Sequence, residues 1–162
     1  MLRNGTPAPD FALRDDQNNE TTLKEACQGK IVVLHFFRGA FCPTSHRDLL
    51  NLNDALERFQ MLESEVMGIS ADSPSQLHTL RRQLGLRFPL LSDSNYEIAP
   101  QYGVYESEDG EGPPRHAEPA LFIIDAEGNM AWSQIQSGPK GLAGIGDVLM
   151  ILMQMAANNG TY

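Results

Sequence analysis

The fold is decided by the segment from residue 31 to residue 45, which reads Ile31-Val32-Val33-Leu34-His35-Phe36-Phe37-Arg38-Gly39-Ala40-Phe41-Cys42-Pro43-Thr44-Ser45. Its first seven residues are almost all apolar, which predicts a strand buried on both faces. A short turn follows, and Pro43 indicates the start of a helix because proline is favoured at the first helical position. Cys42 therefore stands at a helix N-terminus, where partial positive charge and free N–H groups favour a thiolate. The segment predicts a strand–turn–helix unit that presents a reactive thiol.

The rest of the chain alternates strand and helix patterns before it closes with a hairpin. Apolar runs at 65–70 and 120–124 predict two more buried strands, and the helical pattern that starts at Pro43 extends to Phe59. Asp72-Ser73-Pro74 begins a helix that we expect to end at Leu84. Residues 11–13 and 21–23 predict a short hairpin or a loose loop. The remaining patterns predict a strand at 88–91, a helix at 94–102, a loop at 106–118, a hairpin turn at 125–129 leading into 130–135, and a last helix at about 142–156. This order predicts an α/β fold with a mixed central sheet and helices on both faces.

Length and charge narrow the functional classes. The chain has 162 residues, which fits one domain over 1–162 with a sizeable core. A net charge of -9 repels phosphate backbones and anionic lipids, so we expect no nucleic-acid or membrane partner. No apolar run approaches the roughly 20 residues of a membrane span, and the first residues lack the apolar core of a signal peptide. We therefore expect a cytoplasmic protein.

Cysteine and histidine usage points away from structural disulfides and metals. Two cysteines, Cys27 and Cys42, are too few for a disulfide scaffold. The four histidines lack ligand spacing. We expect neither a metal nor an organic cofactor.

Five segments in chain order carry a family pattern: Pro7-Ala8-Pro9-Asp10-Phe11, residues 32–43, residues 68–74, residues 88–93 and residues 119–128. Together they resemble the alkyl hydroperoxide reductase/thiol-specific antioxidant family, the peroxiredoxin-like branch of the thioredoxin superfamily. The likeness extends in order from about residue 5 to residue 155, and it implies a thioredoxin-like fold.

The resemblance also implies a set of candidate catalytic residues. The common family site is Pro-x-x-x-Thr-x-x-Cys, whose cysteine attacks peroxide, and a variant branch has Arg-Gly-x-Trp-Cys-Pro-x-Cys. Aligned on the variant, Cys42 takes the first cysteine position and Ser45 the second, peroxidatic one. Asp48 matches an acidic family position, and Pro119 resembles the cis-proline that faces the thioredoxin cysteine. A serine cannot form a sulfenate, so only Cys42 can supply the reactive sulfur.

The residues around this motif allow more than one role. Cys42 is either a nucleophilic thiolate or a small buried apolar residue, and the Ser45 hydroxyl either bonds the thiolate or caps the first turn. Arg38 and His46 could each tune the thiolate or lie at the surface, and we favour a solvated role for Thr44. We expect His35 to be a hydrogen-bonded core histidine. Cys27 is interpreted as structural, with the alternative that it resolves an oxidised Cys42.

Two functional hypotheses follow from the resemblance. The first is a thiol-dependent antioxidant oxidoreductase that reduces hydroperoxides through Cys42, with thioredoxin or a glutathione-type thiol as the reductant. The second is a peroxidase-inactive binding or redox-sensing module, in which Ser45, natural or engineered, has removed the peroxidatic thiol. The methionine-rich last helix also allows a homodimer contact.

Overall fold

A computed structural model describes residues 3–104, 117–135 and 144–160. Within these ranges, the strands are β1 (Ala12–Asp15), β2 (Glu20–Thr22), β3 (Ile31–Phe36), β4 (Ser64–Ser70), β5 (Leu90–Ser92), β6 (Ala120–Ile124) and β7 (Met130–Ile135). The helices are α1 (Leu23–Ala26), α2 (Pro43–Asp54), α3 (Leu56–Met61), α4 (Pro74–Leu84), α5 (Ile98–Gln101) and α6 (Ile145–Gly160).

The strands form one mixed sheet in the order β2-β1-β5-β4-β3-β6-β7. The inner strands β5, β4 and β3 are parallel, while β1, β6 and β7 join by antiparallel pairing. In this sheet β3 is a central strand and all six of its residues are buried, as its apolar run predicts. The carboxyl ends of β3, β4 and β5 lie at one sheet edge, and the segment after β3 carries Cys42.

Apolar clusters cover both faces of the sheet. On one face, alternate β3 side chains such as Val32, Leu34 and Phe36 share a cluster with residues of α1 and α5. On the other face, Ile31 and Val33 pack with residues of α2, α3, α4 and α6. The predicted α/β fold, a mixed sheet with helices on both faces, is confirmed.

Two predicted helices, at 43–59 and 94–102, differ from the structure because the backbone turns inside each predicted range. The expected helix over 43–59 divides at Ala55, whose φ of -95° and ψ of 5° end α2 before α3 begins. The predicted helix at 94–102 shrinks to Ile98–Gln101, because the segment before it is a turn capped by Asp93. The last helix begins at Ile145, and the predicted start at Leu142 and most of the loop at 106–118 lie outside the described residues.

Among residues 3–104, 117–135 and 144–160, each helix is too short or too polar to cross a lipid bilayer.

Candidate active site

Cys42 occupies the N-cap of α2, as the sequence predicts, with an extended backbone (φ -101°, ψ 117°) and Pro43 in the first turn. Only 3% of the residue is exposed, so the sulfur is buried, which is the property expected of the second sequence interpretation, a small buried residue. The cause is local, because the side chain points inward beside a second buried residue, Arg38. The thiol therefore lies in a closed, charged environment at the helix start.

Arg38 is the charged neighbour of this sulfur. Its Nη1 lies 3.7 Å from Cys42 Sγ, and its guanidinium carbon lies 5.5 Å from the centre of the Phe41 ring. Only 1% of Arg38 is exposed, so the alternative in which it lies at the surface is wrong. A guanidinium remains protonated at all relevant pH values and favours an anion next to it. The contact gives Cys42 a built-in counter-charge.

Ser45 lies one turn further along α2 and is buried. Its Oγ accepts a hydrogen bond of 3.2 Å from the backbone N–H of Arg38. This bond ties the first turn of α2 to the residue that follows β3, a role that neither sequence interpretation of Ser45 included. The hydroxyl thus helps to place the backbone of Arg38 beside the Cys42 turn.

The loop between Arg38 and Cys42 is held at its middle residue, Ala40. The Ala40 N–H donates to Asp72 Oδ2 at 2.9 Å, and the Ala40 carbonyl lies 2.7 Å from His46 Nε2. Because a carbonyl only accepts, His46 carries a proton on Nε2 and donates it there. His46, which sequence analysis assigned either to the thiolate or to solvent, instead bonds the loop backbone.

Asp72 is the site residue that sequence reasoning missed. The motif Asp72-Ser73-Pro74 predicts helix-capping chemistry, and Ser73 does cap α4 through a reciprocal pair of bonds with Gln76. The carboxylate of Asp72 instead reaches across the sheet edge to the Ala40 N–H. The available signal was position alone, since Asp72 follows a strand parallel to and paired with β3.

Pro119 lies at the same end of the central strand, but its peptide bond differs from the prediction. It is buried directly before Ala120, which pairs with Phe36 at the end of β3. The expected cis bond between Glu118 and Pro119 is wrong, because this bond is trans. A trans bond is the lower-energy state of most X–Pro pairs, by about 0.5–1 kcal/mol.

Asp48 is one of the buried residues of α2. Its Oδ1 lies 3.9 Å from Arg47 Nη2, and Asp48 lines a cavity of about 50 Å³ together with His35 and Asn51. The structure therefore brings Cys42 and Ser45 each into contact with Arg38, and it places Asp48 beside a separate small cavity.

His35 is a core histidine, as predicted. Its Nδ1 lies 3.2 Å from the Ala120 carbonyl, which requires a proton on Nδ1. Burial lowers the pKa of His35 to about 4, and the bond to Ala120 opposes that shift only in part. The ring is therefore neutral at physiological pH.

Cys27 has the opposite environment to Cys42. Both thiols are free, but burial, with Asp125 and Asp10 nearby, raises the pKa of Cys27 to about 11. A thiol with this pKa is almost entirely protonated at neutral pH and reacts slowly. This favours the structural interpretation of Cys27 over a resolving role.

The sheet is a thioredoxin-like mixed sheet, and Cys42 follows its central strand at the start of α2. This arrangement defines a class of thiol proteins, and comparisons with known proteins identify the family within that class. The AhpC/TSA family model matches residues 4–133. Alkyl hydroperoxide reductase E of Mycobacterium tuberculosis is 32% identical over 138 residues, 84% of this chain and 87% of that protein. Peroxiredoxin-2 of Rattus norvegicus is 35% identical over 150 residues, 85% of this chain and 71% of that protein.

A solved structure shares the fold. The crystal structure of peroxidoxin BcpB from Mycobacterium tuberculosis superposes with a TM-score of 0.83 at 22% identity, and the match covers 96% of this chain and 99% of that one. The chain belongs to the AhpC/TSA family, which confirms the predicted peroxiredoxin-like protein of the thioredoxin superfamily. Thiol-dependent peroxidase activity is the function that this membership supports.

Proposed function

We propose that this protein is a one-cysteine hydroperoxide reductase in which Cys42 is the reacting thiolate. The observation that carries the proposal is the 3.7 Å contact between Arg38 Nη1 and Cys42 Sγ at the start of α2. A fixed cation and the first-turn N–H groups both favour the anionic sulfur, which is the nucleophilic form. Cys27, with its raised pKa, has neither kind of support.

The reaction that suits this thiolate is displacement at oxygen. The sulfur of Cys42 attacks one oxygen of a hydroperoxide, the O–O bond breaks, and the second oxygen leaves as an alkoxide that takes up a proton. Cys42 is oxidised to sulfenic acid and the hydroperoxide is reduced to an alcohol. An external thiol then displaces water to form a mixed disulfide, and a second thiol reduces that disulfide and regenerates Cys42.

Ser45 occupies the peroxidatic position in our alignment and supplies no sulfur. Its hydroxyl accepts the Arg38 N–H bond, and we propose that it serves this chemistry by positioning Arg38. We assign Pro119 to shaping the site beside the end of β3, and Asp48 to the buried face of α2. The competing function, a binding or sensing module without peroxidase activity, is favoured by the small exposed fraction of Cys42.

Substrate, reductant and setting follow from the same proposal. We infer a hydroperoxide substrate and a thioredoxin or glutathione-type reductant, because the cycle needs an external thiol. The net charge of -9 disfavours partners with a phosphate backbone or an anionic lipid surface, and we propose a cytoplasmic setting. A homodimer is supported by an exposed methionine face, formed by Met61 of α3 and by Met150 and Met153 of α6.

Loss of hydroperoxide consumption in matched cysteine variants tests the proposal. Cys42→Ala should abolish thiol-dependent hydroperoxide reduction, whereas Cys27→Ala, which removes the other buried free thiol, should keep it within about twofold. Equal activity in wild type and Cys42→Ala would contradict the proposed function. Complete inactivity of the wild type with every thiol reductant would favour the binding module.

A second variant tests the alignment of the site. Ser45→Cys places a sulfur where the Arg38 N–H donates its hydrogen bond. We expect this change to raise peroxidase activity, because it restores a cysteine at the family's peroxidatic position. No gain in a folded Ser45→Cys protein would show that the family register does not apply at residue 45.

A further inference from the structure

Both backbone polar groups of Ala40, its N–H and its carbonyl, are held by side chains from other parts of the fold. The N–H donates to Asp72 Oδ2 at 2.9 Å, from the segment between β4 and α4. The carbonyl accepts from His46 Nε2 at 2.7 Å, from α2. Ala40 is the middle residue between Arg38 and Cys42, so these bonds fix the segment that carries both the guanidinium and the thiol.

The carboxylate of Asp72 is itself held in place. Ser70 Oγ donates to Asp72 Oδ2 at 2.7 Å, and the Asp72 N–H donates back to Ser70 Oγ at 3.3 Å. Ser92 Oγ donates to the Asp72 carbonyl at 2.6 Å. Because Ser70 ends β4 and Ser92 ends β5, the sheet itself positions this acceptor.

The loop also lies close against Asp72. Gly39 has φ of +146°, and a Cβ there would lie 3.0 Å from the Phe41 ring and 3.3 Å from Asp72 Oδ2. The backbone therefore passes the carboxylate at a distance that leaves little room for a side chain. This approach places the Arg38-to-Cys42 turn directly on Asp72.

We propose that Asp72 is a positioning residue for the Cys42 thiolate, which acts by fixing Ala40 and hence the contact between Arg38 and the sulfur. The proposal deepens the proposed function and rests on it, since it assumes that the Arg38 contact activates Cys42. Asp72 bonds the loop backbone, and its influence on the sulfur passes through that loop.

Positioning and simple charge repulsion predict opposite changes in the thiolate population of Cys42 when the Asp72 carboxylate is removed. A carboxylate near a thiol disfavours the thiolate by charge repulsion, so removal of the charge alone would increase the thiolate population. If Asp72 instead holds Arg38 against Cys42, loss of the acceptor decreases the thiolate population. An asparagine keeps an acceptor oxygen without the charge and therefore separates the two effects.

The experiment measures the ultraviolet absorbance of the thiolate and the alkylation rate as functions of pH, in a Cys27→Ala background that leaves one thiol. The variants are Asp72→Ala and Asp72→Asn, with Asp93→Ala as the matched control. Asp93 is also an acidic residue just past a strand, and it also accepts backbone N–H bonds, from Glu97, Ile98 and Ala99 at the start of α5. Those bonds hold α5 instead of the Arg38-to-Cys42 loop.

Asp72→Ala should lower both the thiolate absorbance and the alkylation rate at neutral pH about tenfold, the size expected for losing one charged hydrogen bond. Asp72→Asn and Asp93→Ala should stay within about twofold of the parent protein. Ser70→Ala, which removes the hydroxyl that orients the carboxylate, should give a smaller decrease and serves as the test if Asp72→Ala does not fold.

An unchanged pH profile of thiolate absorbance in folded Asp72→Ala would overturn the positioning role. An increased thiolate population in both Asp72 variants would also overturn it, because that result indicates charge repulsion. Either result leaves the proposed function intact if the thiol of the parent protein alkylates rapidly and hydroperoxide consumption depends on Cys42. A parent thiol as slow as a free cysteine would overturn both proposals, because there would then be no activated sulfur to position.

Discussion

At the scale of single residues, the proposed chemistry depends on the contact between Arg38 and Cys42. A guanidinium buried beside a thiol carries an unfavourable desolvation cost unless it meets a partial or full negative charge. Under the proposed function, the Cys42 thiolate places a negative charge beside this guanidinium when it forms, and the two opposite charges attract each other. The proposal thus attributes the reactivity of a cysteine with 3% exposure to its contact with Arg38 and not to solvent access.

Removal of the guanidinium gives the first prediction at this scale. Arg38→Met should decrease the thiolate population of Cys42 at neutral pH by about tenfold or more, since an adjacent opposite charge is a strong ionisation term. The measurement is thiolate absorbance in the Cys27→Ala background. Arg38→Lys keeps a cation and should retain part of the wild-type thiolate population. Arg47→Met changes an exposed arginine of α2 and should retain all of it. An unchanged thiolate population in Arg38→Met would contradict the role of the guanidinium.

His35 gives a prediction about acid stability. Its pKa is about 4 in the folded protein against 6.5 for an ordinary histidine. The unfolded chain therefore binds a proton on His35 below about pH 6.5 while the folded chain does not, and the free energy of unfolding falls as the pH drops toward 4. The full decrease in the free energy of unfolding across this pH range is about 3 kcal/mol.

The measurement is urea unfolding at several pH values in this window. His35→Asn can still donate to the Ala120 carbonyl and should flatten the pH dependence relative to wild type, because asparagine does not titrate. The exposed His78→Asn variant is the control and should keep the wild-type slope. Parallel slopes in wild type and His35→Asn would show that another group causes the acid sensitivity.

At the scale of elements, capping decides where α4 starts and gives a prediction separate from the active site. Ser73 accepts from the Gln76 N–H, and the Gln76 side chain accepts from the Ser73 N–H. Ser73→Ala should lower the free energy of unfolding by about 1 kcal/mol. Ser75→Ala, in the same turn but exposed, should change it by less than about 0.5 kcal/mol. Denaturant unfolding measures both, and equal effects would argue against the cap.

Elements with strong local signals were predictable from the sequence, and weak ones were not. The apolar run of β3 and the Ser73-Pro74 start of α4 encode their structure locally, so the sequence predicts both elements. The break at Ala55 leaves no such signal in the apolar pattern, because Leu52 and Leu56 continue the buried face on either side of it. Sequence patterns report local preference, and tertiary contacts decide the remainder.

The same limit applies to the candidate site. The position of Cys42 at a helix start was predictable because Pro43 marks it locally. The burial of Arg38 and the bond from Ala40 to Asp72 were not, since each depends on how the strand ends meet across the sheet. A resemblance to thioredoxins likewise suggested a cis bond at Pro119, and this chain has a trans bond. Long-range placement, in each case, is information that a motif alone does not contain.

At the scale of the whole molecule, one buried ion pair joins the N-terminal hairpin to the parallel core. Asp16, just past β1, accepts from Arg81 of α4, at 3.1 Å to each carboxylate oxygen, and from the Leu90 N–H of β5 at 3.1 Å. The Asp16 side chain is 2% exposed and that of Arg81 is 24% exposed. Three separate elements therefore depend on a single carboxylate.

Loss of that carboxylate should destabilise the whole fold. Asp16→Ala leaves the Arg81 guanidinium and the Leu90 N–H without this acceptor, and it should lower the free energy of unfolding by about 3 kcal/mol. The control is Glu65→Ala, which removes a pair with Lys30 at a similar distance, 3.0 Å, but with side chains 40% and 54% exposed. Exposed pairs contribute about 0–1 kcal/mol, so this control should change little. Denaturant unfolding of both variants compares two ion pairs that differ chiefly in burial, and equal losses would show that the Asp16 pair does not join the hairpin to the core as argued.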